Sequence, residues 1–410
     1  MQFTSLARPS LQWTAHIKVT EKKGFVMYIT YKVPPRYRQM TFEEMLSNET
    51  NLSEFKYSSN SMTRTIVRKV LPSKLVDFTD IPRLIKQFED FCEKHKALYE
   101  VPRASLYDTW RTPKKKKGPH GETKYRTICR PNSQELRDAH TELQRILEDS
   151  MIASYHTRAY AYIKNRRTKD AIQVHQKWKS KWFSDFDFTD FFGSTTLEFL
   201  SQMIFMSYPF CLIPEEHRET VRKALDLCFL NGGLPQGTTI SPMLTNLMMI
   251  PFDHMVSNEL HKHDGDRFVY TRYADDIRIS CRVQFDVKQM ESYLIKKLRQ
   301  FDAPFTINPE KTGYGSINGK NFCLGYMLNK DNQITIGHER KKRCKAMVNN
   351  YILDRMSGQP WSLHEVQVLN GQLNYWRYDN EDGTYAVMIN FYKRKYGCDV
   401  EKWIKADLSA

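Results

Sequence analysis

Tyr273-Ala274-Asp275-Asp276 places two adjacent carboxylates in the middle of a run whose apolar residues recur at every second position on both sides. Arg267 to Arg272 before it and Ile277 to Ser280 after it read as two short strands joined by a tight turn at the acids. Like charges at a hairpin tip need a cation, and divalent metal ions held for phosphoryl transfer would supply one. Aspartate is also common in plain turns, so the pair alone leaves both readings open. Asp187 adds a third carboxylate at the end of another alternating run, Trp182 to Phe188, with Phe191 and Phe192 four and five positions on. Carboxylates at the ends of neighbouring strands can share two magnesium ions about 3.5–4 Å apart. Positioning and charge neutralisation then supply most of the rate.

The elements that must hold these residues are legible in outline. Ile81 to Leu98 predicts an amphipathic helix, with Ile81, Leu84, Ile85, Phe88 and Phe91 on one face. Gly118-Pro119-His120-Gly121 is a turn signal before Lys124 to Arg130, which predicts a hairpin with a basic tip. Ser133 to Met151 reads as helix without a capping box, because Leu136 stands where an acid or amide would complete one. Leu234-Pro235-Gln236-Gly237 forms a turn before a long helical run from about Ser241 to Leu260. Ser362-Leu363-His364-Glu365 matches a capping box ahead of Val366, Leu369 and Leu373. Residues 1 to about 75 mix strand-like pieces, such as Phe25 to Tyr31, with a polar loop near Ser47 to Ser61, and show no chemistry.

The chain has 410 residues, enough for two or three subdomains. Lys and Arg outnumber Asp and Glu by 62 to 47, and the excess is grouped. Eight basic residues lie between Arg111 and Arg130 against one acid, Glu122, and Arg340, Lys341, Lys342, Arg343 and Lys345 open a second helix-like segment. Such grouping favours a nucleic-acid partner over a membrane. The eight cysteines are scattered without a Cys-x-x-Cys pair, which argues against a zinc site or a disulfide framework and for a reducing cytoplasm. The N-terminus lacks a signal pattern, and the apolar stretch around Met203 to Pro214 is too short and too polar to span a bilayer.

In order and spacing, these segments resemble the motifs of reverse transcriptases. Asp187-Phe188-Thr189-Asp190-Phe191-Phe192 looks like the family's first aspartate motif. Leu234-Pro235-Gln236-Gly237 through Ser241-Pro242 with Asn246 looks like the second, and Tyr273-Ala274-Asp275-Asp276 like the third. Asn308-Pro309-Glu310-Lys311-Thr312 and Phe322-Cys323-Leu324-Gly325-Tyr326 resemble the two motifs that close the palm. Upstream, Tyr125-Arg126-Thr127-Ile128 with Pro131 resembles the fingers strand, and Ala159 to Ile163 with His175 the segment leading into the palm. The likeness covers roughly residues 105–380. It implies an α+β right-hand polymerase with fingers, an antiparallel palm sheet and a helical thumb. The expected division is an N-terminal extension (1–75), fingers (76–180, with part of 203–232), palm (181–336) and thumb (337–410).

The resemblance also implies roles. Asp187, Asp275 and Asp276 would hold two Mg2+ ions, or Mn2+ in their place, with the Phe188 carbonyl completing the coordination. Asp185 and Asp190 are rivals for Asp187, but only Asp187 sets aromatic rings four and five residues on; Asp185 is expected as a solvent-facing strand acid. Phe192 takes the steric-gate position against a ribose 2′-hydroxyl, while Phe191 reads as core. Arg126, with Lys124 or Lys116, would reach the triphosphate of the incoming nucleotide, and the choice among Lys114 to Lys117 stays open. Gln236 would contact the nucleotide and Gly237 would permit close backbone approach. Lys311 would protonate the pyrophosphate leaving group. Tyr273 would support primer or template, and Arg340, Lys341, Arg343 and Lys345 would face a phosphate backbone. His175 reads as structural.

The implied partners are an RNA template, deoxynucleoside triphosphates and a cDNA product. The Gln-Gly-Thr-Thr-Ile-Ser-Pro form of the second motif differs from diversity-generating enzymes. The Leu324-Gly325-Tyr326 ending resembles group II intron relatives more than retrons, and the spacing from Ala171 to His175 departs from the retron pattern by one residue. The closest likeness is to stand-alone, defence-associated bacterial enzymes that act with a cognate structured RNA. A retron-type enzyme, a template-independent or protein-primed polymerase, and a non-catalytic maturase-like scaffold are the alternatives.

Overall fold

The computed structural model of the protein describes residues 80–114, 121–151, 155–262, 268–319 and 321–409. The expectations for residues 1–75, for Lys115 to Lys117 and for the tip of the basic hairpin lie outside them.

Helix α1 (Ile81–Lys94) buries Leu84, Ile85, Phe88, Phe91 and Cys92 on one face, and Asp80 caps its N-terminus through the Arg83 amide. It stops four residues before the expected end, and Ala97–Glu100 forms a separate turn. Strands β1 (Tyr107–Pro113) and β2 (Tyr125–Pro131) pair antiparallel, from Tyr107 with Pro131 to Pro113 with Tyr125. Helix α2 (Gln134–Met151) follows, with the Ser133 hydroxyl accepting from the Leu136 amide at 3.1 Å despite the missing capping-box acid. Helix α3 (Thr168–Lys177) leads to β3 (Trp182–Asp187).

After β3 come α4 (Leu197–Phe205) and α5 (Glu215–Asp226), then α6 (Ser241–Met248) and α7 (Ile250–Lys262). The run from Ser241 to Leu260, expected as one helix, is thus broken at Met249. Pro251 has no N–H to offer the Leu247 carbonyl one turn back, and its ring crowds that position. Strands β4 (Phe268–Tyr273) and β5 (Asp276–Cys281) are followed by α8 (Val287–Gln300) and β6 (Gly313–Ser316). The four strands form one antiparallel sheet in the order β4-β5-β3-β6.

Strand β3 lies inside this sheet and is covered on both faces. Phe186 joins the main core with helix residues such as Leu244 and Leu247, whereas Phe183 joins a second cluster with Tyr326, Val348 and Leu369. The second cluster belongs to the C-terminal part of the chain: a short pair, β7 (Met327–Leu328) with β8 (Ile334–Thr335), and helices α9 (His338–Met356), α10 (Leu363–Asp379), α11 (Thr384–Tyr396) and α12 (Val400–Ser409). Cys344, Val348, Tyr351 and Ile352 line the inner face of α9 as their spacing predicts. The Ser362–Glu365 capping box forms at the start of α10. Among the described residues, no helix is long and apolar enough to cross a membrane.

Candidate active site

Register brings the three acids together. Asp187 ends β3 directly opposite Asp276, the first residue of β5, and Asp276 in turn faces Tyr273 across the β4–β5 turn. Asp275 occupies the two-residue turn after Ala274, which has φ +58°. Positive φ at the first turn residue suits the twist of a tight hairpin, but a residue with a Cβ is strained there. Two contacts hold the corner. The Phe188 amide donates to the Asp275 carbonyl at 3.3 Å, and the Arg272 guanidinium donates to the Ala274 carbonyl at 3.0 Å.

Arg272 is itself fixed from below. Its Nε and Nη2 donate to Asp253 of α7, both at 2.7 Å, and Nη2 also reaches Asn246 Oδ1 at 2.9 Å. The Tyr270 hydroxyl donates to the same Asp253 carboxylate, and the Asn246 amide donates to the Ala161 carbonyl at 2.7 Å. This buried polar frame runs from α6 and α7 through β4 to the segment before α3. Arg272 is almost wholly enclosed, and its partner charge and hydrogen bonds satisfy it, as a buried guanidinium requires. Asn246 belongs to the motif read from sequence, but the roles of Arg272 and Asp253 were missed. Only the burial of a charged pair 19 residues apart identifies them.

The electrostatics follow from crowding. Desolvation first, then the nearby Asp187 charge, raises the Asp275 carboxyl above its ordinary range. Asp276 keeps an edge to solvent, yet desolvation of its inner side and the charges of Asp275, Asp187 and Asp185 push it up to about 7. Lys311, half exposed, donates to both oxygens of the buried Asp187, at 2.8 and 2.7 Å. Among the described residues, no three His, Cys, Asp or Glu side chains already converge as ligands on one point. The donor chemistry nevertheless fits a hard divalent cation: three carboxylates at adjoining strand ends, two of them raised by burial and by neighbouring carboxylate charge.

Asp185 is not the solvent-facing acid expected. It shares a face of β3 with Asp187 and grips Arg278 of β5 through two bonds of 2.6 and 2.8 Å, because Arg278 is buried and needs a counter-charge. Asp190 is exposed at φ +46° and stands apart from this pairing. Phe191 is core, stacked on Phe188 at 5.3 Å, whereas Phe192 remains partly exposed beside it. The Phe192 carbonyl accepts from the Leu234 amide at 2.9 Å, tying the ring's backbone to the turn before Gln236.

That turn is joined to the β1–β2 hairpin. The Cys129 amide donates to the Gln236 carbonyl at 2.7 Å. Gly237 has φ +116°, and a Cβ there would lie 2.8 Å from both the Cys129 carbonyl and the Ile128 side chain. The close approach read from Gly237 therefore includes the β2 backbone itself. Arg126 is exposed on β2, opposite Thr112. Lys124 lies 3.9 Å from Glu310, next to Lys311. Lys116 falls outside the described residues.

Tyr273 packs its ring against the small cluster of Tyr160, Ala171, Val174 and Val269. Nearby Tyr162, to which sequence assigned no role, is 51% exposed at φ +57°. Its hydroxyl is raised by burial and by the charges of Asp275, Tyr273 and Asp276, which places it beside the acids. His175 is fully enclosed, bonded to Ser280 and Thr271 at 2.6 and 2.8 Å, and so bridges α3 to β4 and β5.

The basic cluster of α9 divides in two. Arg340 lies over the Tyr375 ring at 4.8 Å and donates to the Gly325 carbonyl, and Lys341 pairs with Asp382. Both already have partners within the protein. Arg343 and Lys345 stay exposed on the outer side of the helix.

An antiparallel sheet carrying carboxylates at adjoining strand ends, flanked by helices, is the arrangement of a right-hand polymerase palm. The family model for reverse transcriptase (RNA-dependent DNA polymerase) matches residues 113–341. The chain belongs to the reverse transcriptase family. Retron Ec83 reverse transcriptase of Escherichia coli is 24% identical over 332 residues, covering 78% of this chain and 96% of that protein. Retron Ec73 reverse transcriptase of Escherichia coli is 27% identical over 195 residues, 46% of this chain, and the chain spans only 61% of its length. Among solved structures, apo telomerase from Candida tropicalis truncated from its C-terminal domain aligns over 57% of this chain and 54% of that chain, with 14% identity and a TM-score of 0.35. Both curated relatives are retron enzymes, the kinship held second on sequence because of Leu324-Gly325-Tyr326 and the Ala171–His175 spacing.

Proposed function

We propose that the protein is an RNA-directed DNA polymerase of retron type that copies a cognate structured RNA into cDNA, in the cytoplasm, as part of antiphage defence. The pairing of Asp187 with Asp276, with Asp275 at the adjoining corner, supports the reading, because it groups three carboxylates, the donor set that nucleotidyl transfer uses. In this reading Asp187, Asp275, Asp276 and the Phe188 carbonyl hold two Mg2+ ions, or Mn2+. When bound, the magnesium would supply activation of the attacking hydroxyl and neutralisation of the triphosphate charge.

The chain's own residues bind and orient the rest. Arg126, exposed on β2, and Lys124, near Glu310, take the nucleotide's phosphates, with Lys116 a further candidate. Gln236 and Gly237 form the floor beneath the nucleotide. Phe192 sits beside the sugar and excludes a 2′-hydroxyl, which makes the product DNA. Lys311 delivers a proton to the pyrophosphate oxygen as it leaves. Tyr273 backs the primer end, and Arg343 and Lys345 meet the duplex backbone. The corresponding division is fingers at 76–180 with part of 203–232, palm at 181–336 and thumb at 337–410, with an N-terminal extension at 1–75.

The test is to purify the protein with the RNA it retains, add magnesium and labelled deoxynucleotides, and sequence the products. cDNA complementary to the retained RNA is the expected result. Homopolymer or RNA-independent product would replace this reading with template-independent or protein-primed synthesis. Tight RNA binding without any product would leave a scaffold.

A further inference from the structure

Lys311 makes a tighter contact than a residue reserved for the leaving group needs. Its ammonium bonds both carboxylate oxygens of Asp187, at 2.8 and 2.7 Å. The partners differ sharply in freedom: the Lys311 side chain is 49% exposed and that of Asp187 only 9%. The backbone that carries Lys311 is anchored independently of the side chain. The Asn308 amide donates to the Asp187 carbonyl at 2.8 Å, the Asn308 side chain accepts from the Glu310 amide at 3.1 Å, and the Lys311 amide donates to the Asn308 carbonyl at 3.2 Å. The ammonium can therefore leave Asp187 by rotation of its flexible stem while the loop stays in place. Its charge also reaches Asp275 and Asp276, favouring their ionised forms.

We infer that Lys311 is the resident counter-cation of the acid cluster, and that a divalent cation gains Asp187 only by displacing it. Lys311 then sets how tightly the site takes a cation, and its displacement frees the same ammonium to meet the phosphates of the nucleotide. Two cations competing for one carboxylate must weaken each other reciprocally. The inference rests on the reading of the three acids as the cation site.

The experiment is a titration of the full chain with Mn2+, without RNA or nucleotide, following free Mn2+ by electron paramagnetic resonance. Lys311→Met is expected to bind Mn2+ about tenfold more tightly than the natural protein, within the usual range of such coupling. Lys311→Arg, which keeps the charge, should stay near the natural affinity. Lys124→Met removes a neighbouring charge that does not touch Asp187, and should shift the affinity far less than Lys311→Met. Equal or weaker binding by Lys311→Met, or equal tightening by Lys124→Met, overturns the displacement. Natural affinity in Asp187→Asn would instead overturn the cation site itself, so the two failures are told apart.

Discussion

Arg272 and Asp253 form a two-pronged ion pair in the interior, with both bonds 2.7 Å long and the side chains 1% and 0% exposed. Because Arg272 also holds the Ala274 carbonyl, the strained corner that presents Asp275 rests on this pair. Replacing Arg272 with Met would leave the Asp253 charge buried and unpaired. A loss of about 3–5 kcal/mol is expected for breaking such a pair on one side. Chemical denaturation of Arg272→Met against the natural protein measures it, and a change below about 1 kcal/mol would remove the pair from its supporting role.

Asp275→Ala combined with Asp276→Ala should abolish DNA synthesis, since both side chains belong to the charged cluster. RNA binding should stay within about twofold, because phosphate contacts come from basic residues elsewhere. Primer-extension and filter-binding assays on the same preparation check the two halves. Surviving synthesis would refute the site assignment.

Phe192 is expected to govern sugar choice. Phe192→Ala should raise ribonucleotide incorporation relative to deoxynucleotide by about tenfold or more, the scale on which pocket shape discriminates. Single-nucleotide kinetics with matched pairs give the ratio. Phe191→Ala should mainly destabilise the fold, since that ring is core.

The raised carboxyl of Asp276 gives a signed pH dependence. Its value moves from 3.8 in an unstructured chain to about 7 in the fold, so between those limits the folded state binds more protons. Folding stability from this group is therefore fully present below about pH 4 and lost as pH rises through about 7. In chelator-treated protein, the melting temperature of the natural chain should fall across that window relative to Asp276→Asn. Added Mg2+ should narrow the difference at pH 8. A parallel pH course for the two proteins would contradict the electrostatic account.

The placement of the acids was legible from sequence where it rests on local pattern. Alternation around Asp275 and Asp276 yields the hairpin, and the family resemblance, rather than any local pattern, separates Phe191 as core from the partly exposed Phe192. Interactions between distant segments were not legible. Asp185 reads as a strand acid until Arg278, 93 residues away, is seen to be buried against it. Arg340 and Lys341 read as a phosphate-facing cluster because charge runs carry no record of Tyr375 or Asp382, which hold them. The break at Met249 was within reach, since Pro251 is plain in the sequence and apolar continuity masked it.

The bond between Cys129 and Gln236, with Gly237 close against Ile128, ties the base of the basic hairpin to the turn before α6. A hinge at the root of the hairpin would have to break that contact. The outer portion, where Tyr125, Arg126 and Thr127 are all exposed, lies beyond this contact. The hairpin is therefore clamped where Cys129 meets Gln236, and Arg126 is carried on the exposed stretch of β2 beyond that clamp.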